Sequence, residues 1–190
     1  MKTQKRKMSL RDRLPGDPSA ELTIQRMIRV NQAGEYGASC IYAGQLAVLG
    51  SRKGANIDAI REMASQEERH LKMFNRLIVE RRVRPTVLSP LWQVAGHMLG
   101  VVSALAGEKS AMACTAAVEE VIDQHYAQQA SILGQEEDDL RAVIEEARAD
   151  EAAHRDKAIE HGAYEAPAYD KVSQGIKKGA RLAIWLSERW

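Results

Sequence analysis

Between Asp17 and Gly50 the apolar residues Leu22, Met27, Ile28, Val30, Ile41, Leu46, Val48 and Leu49 supply the buried side of one long helix. Asp17-Pro18 reads as its cap and first helical position, and Leu49-Gly50 as its end. A helix of about 30 residues spans roughly 45 Å, with Glu35 near its middle. A second helix is expected from near Ala55 to the Arg84-Pro85 break, closing on the charged cluster Arg76, Glu80, Arg81, Arg82 and Arg84. A third runs from near Glu108 to Leu133, stopped by Gly134, and carries Glu119. A fourth begins near Glu136, with acids in its first turn where the helix dipole favours them, and runs to Gly162. Ala166-Pro167 opens a last helix toward Trp190. The elements are all helical: four long helices and a C-terminal one.

One stretch breaks the alternation of polar and apolar. The 23 residues 85–107 contain no Asp, Glu, Lys or Arg. Ser89-Pro90 would start a helix there and Gly107 would end it. The length invites a test as a membrane span, but Pro90, Gln93, His97 and a helical part of only about 17 residues stand against it. A crossover linking two antiparallel helix pairs would also be apolar on its inner face. The reading that joins both is a crossover helix dipping into one leaflet, with the preceding arginines at the headgroups. In the last helix Arg181, Trp185 and Arg189 recur at every fourth position and form a basic-aromatic stripe, as on an interfacial amphipathic helix.

The polar residues inside the long helices carry the chemistry. Glu67-Glu68-Arg69-His70 and Glu151-Ala152-Ala153-His154 each set a carboxylate and an imidazole three residues apart, on one helical face. Glu35 lies 32 residues before Glu67, and Glu119 lies 32 before Glu151. The second set is offset from the first by 84, and the same offset carries Ala33, Tyr42, Ala43, Gln45, Leu49, Gly50, Ile60 and Glu62 onto identical residues. The chain therefore reads as two alike helix pairs facing each other, an internal two-fold repeat. A single Glu-x-x-His on an exposed helix means nothing; the doubled, equally spaced set does. Four carboxylates and two imidazoles cost too much to bury without a cation. One Glu from each of two helices plus Glu-x-x-His from the other two is the ligand pattern of ferritin-like di-iron and di-manganese proteins. Mixed oxygen and nitrogen ligands with open positions suit oxygen-binding iron and disfavour a closed zinc site. Candidate ligands to two irons are thus Glu35, Glu67, His70, Glu119, Glu151 and His154. Asp150 either orients a ligand histidine or is a solvated acid. His97 reads as a core histidine, and His125 and His161 have no counterpart in the repeat.

Composition narrows the rest. At 190 residues, with five prolines and one phenylalanine, the chain is one all-α domain over 19–190, preceded by a basic flexible tail, 1–18. That tail carries Lys2, Lys5, Arg6, Lys7, Arg11 and Arg13, and no apolar secretory core. A formal charge of +1 gives no field to steer nucleic acid, which is not an expected partner. Cys40 and Cys114, in apolar surroundings and without a C-x-x-C, read as two buried thiols.

RVNQAGEYGA, IYAGQLAVLG, RVRPTVLSPLW, GEKSAMACTAAVEE and the terminal LSERW resemble the demethoxyubiquinone hydroxylase family of ubiquinone biosynthesis, across residues 22–190. The family's six iron ligands fall on the six residues above. The resemblance implies a ferritin-like di-iron monooxygenase that hydroxylates the ring of a polyprenylated demethoxybenzoquinol with O₂. It also implies NADH as reductant, with the quinone ring relaying electrons to iron, and other ubiquinone-biosynthesis proteins as partners, a lipid-binding one among them. The expected location is the membrane periphery, on the cytoplasmic face of a bacterial inner membrane or the matrix side in mitochondria. No G-x-G-x-x-G occurs, so the nicotinamide would be met without a Rossmann loop; the resemblance points to Arg26, Arg181 and Arg189, whose forks suit phosphate or a quinone oxygen. Trp185 stands where the family leads one to expect tyrosine, and the loop over 134–140 is shorter than in animal relatives. Two rivals remain: an iron-storage or peroxide-scavenging ferritin relative sharing the ligands, and a non-enzymatic lipid carrier with an acidic core.

Overall fold

The computed structural model describes residues 14–190. The cluster from Lys2 to Arg13, and with it most of the expected basic tail, lies outside the described residues. Six α-helices follow in order: α1 Ala20–Leu49, α2 Ala55–Glu80, α3 Ser89–Leu105, α4 Glu108–Ile132, α5 Asp138–Glu160 and α6 Tyr169–Ser187. Short 3₁₀ turns at Gln135–Glu137 and Ala163–Glu165 precede α5 and α6. No strand occurs among the described residues. The helices α1, α2, α4 and α5 make the bundle, α3 crosses over against α1, and α6 lies against α4. This is the all-α, ferritin-like bundle with crossover and C-terminal helix that the sequence predicts.

The helix ends shift from expectation for local reasons. Ser19, not Asp17, caps α1, its Oγ accepting from Leu22 N at 3.0 Å. The Asp17 carboxylate is used one turn earlier, where it accepts from Leu14 N at 2.8 Å. α2 stops at Glu80, ahead of the Arg84-Pro85 break, because Arg82 turns left-handed at φ 51° and Val83 N bonds back to Ile78 O. α6 starts at Tyr169 and not at Pro167, since Ala168 is left-handed at φ 53° and cannot continue a right-handed turn.

Glycine brings α1 and α3 together backbone on backbone. A Cβ at Gly100 would lie 2.0 Å from Ile41 O, and one at Gly44 would lie 2.2 Å from His97 O. So close an approach gives α3 an inner face held by carbonyl contacts and leaves the rest of its circumference uncovered. Val87, Leu91, Val94, Met98, Val102 and Leu105, just before and along that helix, are exposed. His97 is exposed too, which corrects the expectation of a core histidine: its backbone, not its ring, faces α1. No described helix is long and apolar enough to cross a membrane.

The bundle interior has two apolar clusters. One gathers Met27, Ile28, Phe74, Val118, Ile122, Tyr126 and Ile144; the other gathers Tyr42, Leu49, Ile57, Ile60, Met63 and Met112. Buried polar residues, set among these clusters on α1, α2, α4 and α5, form the site described next. Cys114 is buried, Cys40 is half-buried, and both are free thiols.

Candidate metal centre

Each long helix carries one candidate carboxylate at its midsection, and the three-residue step on α2 and α5 adds an imidazole to the same face. Glu35, Glu67, His70, Glu119, Glu151 and His154 are all buried. They fall into two overlapping groups whose ligand atoms lie within 4.8 Å of one another: Glu35, Glu67, His70 and Glu151, and Glu67, Glu119, Glu151 and His154. Glu67 and Glu151 belong to both groups, as carboxylates lying between two cations would. The imidazoles stand 6.2 Å apart, each with Nδ1 turned inward. His70 Nδ1 is 3.2 Å from Glu151 Oε1 and 3.5 Å from Glu35 Oε2. His154 Nδ1 is 3.1 Å from Glu67 Oε1.

The polar atoms facing this centre have no hydrogen-bond partner. Glu35 Oε2, both oxygens of Glu67, His70 Nδ1, Glu119 Oε2, both oxygens of Glu151 and His154 Nδ1 are buried and unmatched. A fold does not leave so many buried acceptors unsatisfied in one place for structural reasons. Oxygen and imidazole nitrogen donors, converging and aimed inward, fit a pair of transition-metal ions. Burial, and then the neighbouring carboxylates, push the carboxyl groups of Glu67 and Glu119 well above their ordinary value. Burial also raises Glu151, against the opposing pull of His70. Burial would lower His70, but the carboxylates of Glu151 and Glu35 outweigh it and carry the ring up to about 11. Burial lowers His154.

A second layer of contacts holds the outer atoms of these side chains. The Tyr42 hydroxyl donates to Glu119 Oε1 at 2.9 Å, and the Tyr126 hydroxyl donates to Glu35 Oε1. Each tyrosine sits seven residues after a candidate ligand on its own helix, two turns along the same face, yet each reaches the ligand on the opposite helix. The sequence names both tyrosines as matched positions without giving them this role; the seven-residue step was the available signal. His70 Nε2 meets Asp150 Oδ2 at 2.9 Å, so of the two readings of Asp150 the orienting one holds. His154 Nε2 meets Gln66 Oε1, a contact that sequence reasoning missed although Gln66 precedes Asp150 by the same 84 residues.

The three candidate nicotinamide residues lie on α1 and at the C-terminal end of the chain, Arg26 on α1, Arg181 on α6 and Arg189 just beyond it. Arg181 on α6 donates to Gln124 Oε1 at 3.3 Å, and Arg189 lies over the Trp185 ring, 4.2 Å from its centroid. Arg26 lies in the N-terminal half of α1, and its charge lowers the pKa of Arg29 after burial has done so.

Beside the centre lies an apolar cavity of about 470 Å³, bounded by α1, α3, α4 and α6. Gly34, Ala38, Val118 and Ile122 line it from the helices that carry Glu35 and Glu119, and Trp92, Leu99, Gly179 and Ile184 line it from the outer two. The volume is that of a small-molecule site. Trp92 Nε1 donates to Ser187 Oγ at 2.9 Å, closing α3 onto α6 over it.

Known proteins match this chain over most of its length. A 3-demethoxyubiquinol 3-hydroxylase of Rhodospirillum rubrum is 56% identical over 178 residues, covering 94% of this chain and 84% of the relative. A protein of Dictyostelium discoideum named NADPH-dependent 3-demethoxyubiquinone 3-hydroxylase, mitochondrial, is 52% identical over 169 residues, covering 87% of this chain and 77% of that one. The human protein of the same name is 47% identical over 191 residues, covering 97% and 87%. Residues 22–187 match the family described as ubiquinone biosynthesis protein COQ7, and the chain belongs to that family.

Proposed function

We propose that this protein is a demethoxyubiquinol hydroxylase of ubiquinone biosynthesis, acting on the benzoquinol ring at a di-iron centre with O₂. The observation that carries the reading is the set of unmatched carboxylate and imidazole atoms converging beside an apolar cavity. Glu35 and His70 would hold one iron, Glu119 and His154 the other, and Glu67 and Glu151 would lie between them. The bound pair supplies reductive activation of O₂, one atom of which enters the ring while the other leaves as water.

The chain's own residues do the rest. Tyr42 and Tyr126 each hold one oxygen of Glu119 and Glu35, which would leave the other oxygen of each for a metal. The apolar walls from α1 and α4 take the ring and keep water away. α3 and α6 present Val94, Met98, Val102, Leu182 and Trp185 outward, next to that cavity, which suits a substrate whose prenyl tail stays in lipid. The protein would therefore work at a membrane surface. An iron-storage relative has no use for the cavity or for an uncharged crossover helix.

Electrons come from a reduced nicotinamide. The names of the Dictyostelium and human relatives specify NADPH, where the resemblance implies NADH. Arg26, Arg181 and Arg189 remain the candidates to meet an anionic or quinone oxygen, and Arg181 is paired here with the neutral amide of Gln124. The test is anaerobic iron reconstitution, then O₂, a short-chain demethoxyquinone and either NADH or NADPH, with product read by mass. The expected product is one oxygen atom heavier, and Glu119→Ala is expected to lose both iron and product. Full iron content and turnover in that variant would sink the ligand set. Arg181→Ala is expected to slow nicotinamide oxidation with iron content intact.

A further inference from the structure

We infer that the two metal positions are unequal, the one at His70 binding more tightly and filling first, because Asp150 backs His70 where Gln66 backs His154. This rests on the metal-centre reading and goes beyond it to the order of loading.

The two positions are alike in most other respects. Each has one imidazole through Nδ1, one carboxylate of its own, and a tyrosine hydroxyl on the outer oxygen of that carboxylate. Each shares Glu67 and Glu151 with the other. The atom behind each imidazole differs. With Nδ1 directed at a metal, Nε2 must carry the proton and donate it outward. His70 donates to a carboxylate, Asp150 Oδ2, at 2.9 Å; His154 donates to an amide oxygen, Gln66 Oε1. A carboxylate acceptor draws on the Nε2 proton more strongly than an amide does, which makes the opposite nitrogen the better donor. It also adds a negative charge on the outer side of the ring. Arg69 offsets little of that charge, since its Nη2 stands 3.9 Å from Asp150 Oδ2 and its side chain is exposed.

The arrangement crosses the molecule. Asp150 sits on α5 beside Glu151 yet serves the histidine of α2, and Gln66 sits on α2 beside Glu67 yet serves the histidine of α5. Either position is therefore finished by the helix opposite, and the asymmetry is not a matter of one helix being displaced.

Asp150 and Gln66 act as positioning residues, and metal affinity reads them directly. The metal-free full chain is titrated with Co(II), following visible absorbance and competition with a chromophoric chelator. Wild type is expected to take up two ions in two resolved steps, roughly ten- to a hundredfold apart in affinity. Asp150→Asn is expected to weaken the first step about tenfold or more and leave the second in place, merging the two. Gln66→Glu is expected to strengthen the second step toward the first. This second variant adds a partner and removes none, so it stands even if Asp150→Asn folds poorly by circular dichroism. Equal steps in wild type, loss of both steps alike in Asp150→Asn, or no change in Gln66→Glu would each overturn the inference while leaving a two-metal centre. Absence of any Co(II) uptake would overturn the metal-centre reading itself, and this inference with it.

Discussion

At the scale of single residues, the site is a problem of buried polarity solved in layers. The inner atoms of the six candidate ligands are unmatched, and the outer atoms of four of them, Glu35, Glu119, His70 and His154, are each met by a named partner: two tyrosine hydroxyls, an aspartate and a glutamine. The inner layer was legible because Glu-x-x-His has a fixed spacing that recurs. The outer layer was less so, since Tyr42, Tyr126 and Gln66 act across the bundle and no local spacing names a partner on another helix. His125 belongs to a neighbouring network. Gln129 Nε2 meets His125 Nε2 at 2.7 Å, and the Gln129 and Asn31 amides pair reciprocally at 2.8 Å. Burial pushes His125 down to about 4, so it is neutral in the folded chain over a range where the unfolded chain is protonated. Its folded-state pKa is depressed, so its contribution is complete above about pH 6.5 and is lost as pH falls toward 4. The loss is on the order of 1–3 kcal/mol. Urea midpoints measured from pH 7 to pH 4.5 should show a shallower acid decline in His125→Gln than in wild type.

At the scale of elements, α3 is where sequence and structure differ most usefully. Its uncharged run was visible at once, but its partner was not. Gly44 and Gly100 carry the backbone contact of α1 with α3, and nothing in the hydropathy pattern marks them. Gly100→Ala would drive a methyl group into Ile41 O, and the helices must part to admit it. A loss of about 1–3 kcal/mol is expected in chemical denaturation. Gly179→Ala should differ, because nothing lies within 4 Å of the added Cβ. It should keep or raise stability, by up to about 1 kcal/mol, as alanine suits a helix better than glycine. The outer face of α3 makes a separate prediction. Val94 and Val102 are 63% and 57% exposed, so changing both to Asp removes no core contact. The pair should reduce flotation with anionic lipid vesicles while iron content is unchanged. Equal flotation would remove α3 from the membrane contact. Leu99 is the wrong probe, since it is partly buried and lines the cavity.

At the scale of the whole molecule, most of the architecture followed from the chain. Helix number, order and approximate ends were readable because strong stop signals at Gly50, Gly107, Gly134 and Gly162 fall outside the apolar runs. What could not be read was the lateral arrangement. That α3 and α6 stand apart enough to leave a cavity over α1 and α4 depends on small residues, Gly34, Gly37, Gly175 and Gly179, whose absence of bulk is silent in a hydropathy pattern. The candidate arginines show the same limit. Arg181 and Arg189 share a helical stripe, but a stripe does not place Arg26, on α1, beside them.

The ligands come singly from α1 and α4 and in pairs from α2 and α5. No long helix can leave the bundle without releasing a candidate metal contact, so the ions would be a clasp on the fold as well as its reactive centre. Binding that occurs only in the folded state stabilises it by mass action, by about 2.7 kcal/mol for one site at a hundred times its Kd. Stripping the ions with a chelator should lower the melting temperature and speed limited proteolysis, first in α2 and α5. Returning ferrous iron without air should restore both. The lifetime of the chain would then track the metal available to it, and a cell short of iron would hold less of the enzyme, with no change in how fast the chain is made.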